Sequence, residues 1–210
     1  MYSDRDCDVA GVFTSNKLKG WHVFLCQDRI SKGEKIRAVV VNSGNANACN
    51  GQQGRKDAEK TAELAAGRLS VDSRNVMVCS TGTIGIPLPM DKIEAGIAVA
   101  AGSLDEADGF SAASAILTTD TVEKQGAVEL SIDNRPVRIG AMAKGSGMIE
   151  PNMATMLAFF TTDAVVESEA LSACLSEAAD MSFNKISVDG DQSCNDSVLF
   201  MANGVAGNRP

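Results

Sequence analysis

The stretch AKGSGMIEPNMATMLAFF, residues 143–160, places Lys144 eleven positions before Thr155. Small residues and a Pro lie between them, and a plain apolar run follows. A Thr hydroxyl is a weak nucleophile unless a base takes its proton. The chain has a single His, His22, so Ser–His–Asp and Cys–His arrangements would both have to draw on it, as would most His-ligated metal sites. One chemistry needs no His. If the chain is cut between Ala154 and Thr155, the freed α-amine has a reference pKa of about 7.7–8 and can serve as the local base, nearer neutrality than a Lys at about 10.4. A Gly- and Pro-containing segment leading into a rigid strand suits such self-cleavage. An ordinary Thr at a strand start fits the same pattern, so spacing alone leaves both readings open.

Other polar motifs carry less. STGTIG, residues 80–85, follows the strand-like NVMVC, and a hydroxyl at Thr81 with backbone N–H groups there would suit a developing oxyanion. A Gly turn explains the same residues. VDGDQSCND spaces Asp189, Asp191, Ser193 and Asn195 like the start of a calcium loop, but Cys194 replaces the required Gly and Phe200 the closing Glu. A turn network of Asx side chains is the better reading. No GxxxxGK[ST] phosphate loop occurs, and GSG at 145–147 lacks the third glycine of a dinucleotide fingerprint. No metal or cofactor is expected.

The elements that must hold these residues alternate. Strands are expected at AGVFTS, HVFLC, IRAVVVN, NVMVCS, AVELSI, PVRIGAM, TMLAFF and SVLFMANG, each short and bounded by Gly, Asn, Asp or Ser. His22 falls in the strand-like WHVFLC and is assigned a structural role. Helices are expected over 56–69 and 167–182, where Leu171, Cys174, Leu175 and Ala178 repeat at helical spacing. DNRP between AVELSI and PVRIGAM reads as a hairpin turn. The class is therefore α/β (α+β) with some antiparallel pairing, in one domain without repeats or linkers. Four polar, glycine-bearing loops follow strands, at 41–51, 79–89, 142–151 and 188–197.

The 210 residues are 44% hydrophobic with a formal net charge of -8 and no basic stripe, which argues against nucleic acid as partner. No apolar run approaches the ~20 residues of a membrane span, and the charged start MYSDRDCDVAG lacks a signal-peptide core, so a cytoplasmic location is expected. The six cysteines form no CxxC pair and are read as reduced, mostly small core residues.

KGSGMIEPNMATMLAF resembles the self-cleavage region of the ornithine acetyltransferase family of arginine biosynthesis (glutamate N-acetyltransferase/ornithine acetyltransferase). VNSGNANAC, STGTIGIPLPMDKI, ILTTDT and ISVDGDQSCND occur in that family's order, so the similarity runs through essentially all of the chain. The resemblance implies cleavage between Ala154 and Thr155, acetyl transfer from N-acetylornithine to Thr155 and then to glutamate, and acetyl-CoA as donor in some members. It implies Thr81 and Gly82 as the oxyanion pair, and Thr118, Lys144 and Thr155 as substrate-binding positions. It also implies a layered αββα sandwich of mixed sheets, present here in part, with residues 1–154 resembling the family's alpha chain and 155–210 the start of its beta chain. The cleaved chains are expected to form a heterotetramer of two alpha and two beta chains. Family members extend before the AGVF strand and beyond NGVAGN, and an acidic residue and polar residues past Pro210 complete their substrate site. Cys194 stands where a Thr is common in the family. Two other readings share the nucleophile or the fold: an N-terminal-Thr amidase or aminopeptidase, and an inactive portion that only binds amino acids.

Overall fold

The first strand serves two partners. β1 (Tyr2–Phe13) pairs antiparallel with β2 (Ile36–Asn45) through its first half, Tyr2 beside Ala38 and Cys7 beside Ile36, with a register shift between. Its second half pairs antiparallel with β7 (Ser197–Ala202), Val9 beside Met201 and Phe13 beside Ser197. In the computed structural model, which describes residues 1–105, 108–148 and 156–209, β3 (Val76–Thr83), β4 (Lys124–Ile132), β5 (Arg135–Lys144) and β6 (Leu157–Thr162) complete a mixed sheet in the order β3-β2-β1-β7-β6-β5-β4. β2 with β3 and β6 with β7 are parallel.

Apolar residues on opposite faces of each strand divide between clusters. Ile36, Val39, Met77 and Cys79 from the β2–β3 half share one buried cluster with Met142, Leu157, Phe159, Leu199 and Met201 from the other half. The two halves therefore face each other across that cluster, hinged at β1. Leu157, Phe159 and Leu199 are almost wholly buried, and each such side chain is worth about 1.5–3 kcal/mol of burial. On the outer faces, α2 (Gly51–Leu69) and α3 (Met90–Gly102) cover Ala38, Val76 and Val78 with Ala62, Ala65, Ala66 and Ile97. α5 (Ser168–Met181) covers Ala158 and Val198 with Leu171 and Leu175. The layering is the αββα arrangement expected from the family resemblance. α4 (Gly109–Ala115) adds Ala113 and the following Ile116 to the inner cluster.

The DNRP hairpin is present. Asp133 and Asn134 have φ of 52 and 60, so both central residues are left-handed, as the favoured two-residue turn between twisted strands requires. The strand expected at HVFLC is not. Residues Trp21–Ser31 form α1, which buries His22, Val23, Cys26 and Arg29. Five residues of alternation cannot separate a strand from one turn of helix. The i+3 and i+4 relation of Cys26 to Val23 and His22 is confirmed only by Arg29 beyond that run, and it is decided by Cys26 entering the inner cluster. α3 and α4 carried no usable signal, since Ile97 and Ala113 are the only residues they bury. Of the six free cysteines, Cys7, Cys26, Cys79 and Cys194 are buried. Among the described residues no helix is long and apolar enough to cross a membrane.

The structural role assigned to His22 holds although its element is a helix. The ring is fully buried, and Nε2 lies 3.4 Å from the Asn195 carbonyl oxygen. Burial lowers its pKa to about 4, against an unfolded value near 6.5. Below pH 6.5 the unfolded chain takes up a proton that the folded chain refuses, so this residue's contribution to stability is lost as pH falls through 6.5 toward 4. Because the chain has one His, a histidine NMR titration reads it directly. The midpoint is expected near 4, and a midpoint near 6.5 would show the ring open to water.

Candidate functional site

The parallel strands β2 and β3 end side by side, so the loops that follow them meet. The Ala46 N–H donates to the Thr83 carbonyl and the Gly85 N–H to the Ala48 carbonyl, both at 2.9 Å. The Asn45 side-chain amide donates to the Ile86 carbonyl at 2.9 Å. From the loop before β7, Asn195 donates one amide to the carbonyls of Ala46 and Ser80, each at 2.6 Å. The loop at 142–151 joins through Met148, whose N–H donates to Asp189 Oδ2 at 3.0 Å. All four loops expected to carry sites are brought to one place, and the Asx-rich loop acts as a tie. Cys194 packs there against Ala46 and Ala48, a small buried place that its side chain fills.

Gly82 sets the closest approach. Its φ is 130, and a Cβ built on it would lie 2.3 Å from the Gly44 carbonyl carbon on the neighbouring strand. No side chain fits there, so the backbone after Thr81 can lie against β2 only with glycine at this position.

Lys144 ends β5 beside Leu157 of β6, which in turn lies beside Ser197 of β7. Opposite residues share a face, so Lys144 points to the inner side with Leu157. Thr81 alternates with Met77 and Cys79 onto that same side from the other half-sheet. The two meet: Lys144 Nζ donates to Thr81 Oγ1 at 3.1 Å and to Thr118 Oγ1 at 2.9 Å. Lys144 is only 3% exposed. Burial lowers its pKa, opposed by the negative charges of Asp120 and Asp196. An ammonium has three N–H donors, and the two hydroxyls engage two of them. Each Thr oxygen accepts from Lys144, so its own O–H remains to donate elsewhere. The arrangement offers a carboxylate one buried cation, and offers a developing oxyanion a hydroxyl polarised by that cation.

Thr81, Gly82, Thr118 and Lys144 are therefore gathered at one site. Ala154 and Thr155 lie outside the described residues. Among the described residues no group of His, Cys, Asp and Glu is placed to hold a metal.

Two acidic residues escaped the sequence reading. Asp120 Oδ1 accepts from the Gly145 N–H at 2.7 Å and from Lys124. Burial pushes its carboxyl up, but those donors outweigh burial and hold it below its usual range. Asp196 is 1% exposed, and its Oδ1 accepts from the Met156 N–H at 2.9 Å. Burial, only partly offset by the Met156 amide, Ser193 and Lys144, pushes it up to about 8. The available signal was an Asp directly before an apolar strand, SVLFMA. The motif's resemblance to a calcium loop drew attention to its earlier positions instead.

The family model described as ArgJ family matches residues 1–210. The chain belongs to the ArgJ family. It is 56% identical over 202 residues to the arginine biosynthesis bifunctional protein ArgJ of Symbiobacterium thermophilum, an alignment covering 96% of this chain and 50% of that protein. The chain spans about half the length of the curated relatives it matches. Among solved ArgJ-family structures, the bifunctional protein of Bacillus halodurans superposes with a TM-score of 0.67 at 39% identity, covering 73% of this chain and 80% of that one. The ornithine acetyltransferase of Mycobacterium tuberculosis, solved in complex with ornithine, gives 0.61 at 40% identity, covering 70% and 77%.

Asp196 generates a stability test. Its folded pKa lies above its unfolded value of 3.8, so folding binds a proton between those pH values, and stability falls as pH rises from about 4 to about 8. Asp196→Asn carries no such penalty. The Tm of this variant relative to the unsubstituted protein is expected to rise between pH 5 and pH 8. A difference independent of pH would show that Asp196 ionises normally.

Proposed function

We propose that this chain carries the cleavage site and much of the substrate site of an ornithine acetyltransferase of arginine biosynthesis. It moves an acetyl group from N-acetylornithine to glutamate through an acetyl-Thr155 ester. The observation that carries the reading is the Lys144 ammonium, buried between the hydroxyls of Thr81 and Thr118. Donor and acceptor share an α-carboxylate, and a desolvated ammonium with a spare donor suits that group. The complex of the Mycobacterium tuberculosis relative with ornithine supports the same substrate class.

The steps are those the family resemblance implies, and the residue types suit each of them. Cleavage of the Ala154–Thr155 bond frees the Thr155 α-amine, which accepts the proton of the Thr155 hydroxyl as that oxygen attacks the acetyl carbon. The oxyanion formed accepts hydrogen bonds from the Thr81 hydroxyl and the backbone at Gly82. The bond from the acetyl carbon to the ornithine nitrogen breaks, and the proton held by the α-amine passes to that nitrogen. Ornithine leaves. The glutamate amine then attacks the ester, and Thr155 leaves as its hydroxyl. The residues before and after the cleaved bond act as alpha and beta chains, two of each in the assembled enzyme.

Intact mass measurement of the protein as its gene encodes it should show two pieces, one ending at Ala154 and one beginning at Thr155, and Thr155→Ala should show a single uncut chain. Cleavage persisting in Thr155→Ala would remove Thr155 from the nucleophile's role. Lys144→Met should raise KM for N-acetylornithine and for glutamate alike, since one site receives both carboxylates in turn. A lost hydrogen bond to a charged group corresponds to roughly 10–150-fold. A rise for only one substrate would mean two carboxylate sites.

A further inference from the structure

The start of β6 is gripped from β7 by two hydrogen bonds. The Met156 N–H donates to Asp196 Oδ1 at 2.9 Å, and the Ser197 N–H donates to the Met156 carbonyl at 3.1 Å. Asp196 is 1% exposed, and its Oδ2 is buried without a hydrogen-bond partner among the described residues; no ion pair to it is found among them. Around it stand Lys144 from β5, Asp120 beside Lys144, Ser193 from its own loop, and His22 of α1, which contacts the neighbouring Asn195 carbonyl. A buried carboxylate with one oxygen unpartnered and no ion pair is costly, whereas a neutral carboxyl still accepts from the Met156 amide without burying a charge.

We propose that Asp196 is a positioning residue that works as a neutral acid, holding the Met156 amide and with it the start of β6 beside the site formed by Lys144, Thr81 and Thr118. The nitrogen it holds is bonded to the carbonyl carbon of residue 155, so restraint of that atom is passed directly to the adjacent residue. This consequence rests on Thr155 as nucleophile. Attack demands near-contact geometry, and a displacement of about 1 Å can lower a rate on the order of 10²-fold. The neutral form serves a second end. An anionic Asp196 would compete with the substrate carboxylate for the Lys144 ammonium, and a neutral one leaves that charge free. The upward displacement of its pKa by burial agrees with the neutral form at neutral pH.

The test compares Asp196→Ala and Asp196→Asn in the protein as its gene encodes it, at pH 7. D196A is expected to lower kcat on the order of 10²-fold with little change in KM. D196N presents an amide oxygen where Oδ1 stands and an N–H where the acid proton stands, and is expected to recover most of that loss. The Met156 amide resonance, observed with 15N-methionine and assigned through Met156→Leu, should stay protected from exchange in D196N and lose protection in D196A. D196N as impaired as D196A would mean that the anion is required and would overturn the proposal. So would an unchanged kcat in D196A, or a fall in Tm with kcat per folded molecule intact. Should D196A fail to fold, D196N decides alone, and inactivity at an undiminished Tm overturns the neutral-acid role. If Thr155→Ala still transfers acetyl groups, the nucleophile assignment fails instead, and the Met156 exchange data still decide whether Asp196 holds the strand.

Discussion

Everything at the site depends on β1 pairing with a different strand along each half of its length. That double pairing folds one sheet into two facing layers and lets β3 and β5, which lie at distant places in the strand order, put side chains into the same space. A flat sheet of the same order would leave Lys144 and Thr81 several strand spacings of about 4.8 Å apart. Facing layers bring Nζ and Oγ1 to 3.1 Å. The apolar cluster between the layers supplies the driving force, and the polar site occupies the end of that cluster where the strands run out.

Polar groups placed at the edge of a core must be satisfied, and the loops are arranged accordingly. Asn195 spends both side-chain N–H groups on carbonyls of two other loops, so three segments distant in sequence share one amide. Such a buried tie contributes only about 1 kcal/mol per bond when made but costs more when broken, because a buried polar group left unpaired keeps its desolvation penalty. Gly82 adds a steric condition to this network. The backbone of β3 lies so close to Gly44 that the position tolerates no side chain, and Thr81 is fixed as a result.

The charges follow from the same burial. Lys144 is held between hydroxyls rather than in a direct ion pair, so its charge is available while its pKa is lowered. Asp120 has its own donors in Gly145 and Lys124 and remains a carboxylate, which keeps a negative field near the ammonium without occupying it. Asp196 is more deeply buried, and the Met156 amide and Ser193 do not offset that burial, so it is driven the other way. Two carboxyls near one lysine thus differ in protonation because Asp120 is paired with a cation of its own, whereas burial outweighs the donors that Asp196 receives.

Much of this was legible in local pattern. Short Val- and Ile-rich runs bounded by turn residues marked seven of the eight expected strands, and the DNRP hairpin followed from residues able to adopt positive φ. Long motifs in a fixed order identified the family, and they singled out Thr81, Gly82, Thr118 and Lys144, which the fold gathers at the strand ends. Three things were not legible. The helix at Trp21–Ser31 reads locally as a strand, and it is settled by the burial of Cys26 between layers whose other members lie far along the chain. The folding of the sheet at β1 depends on partners nearly two hundred residues away. The weight of Asp196 comes from its desolvation, which no string of neighbours encodes. Sequence by itself determined most of the strands and the family, since both depend on residue type and short spacing. The tertiary structure alone decided which of those side chains share an environment and what charge each carries there, since burial and donor count are properties of the assembled layers.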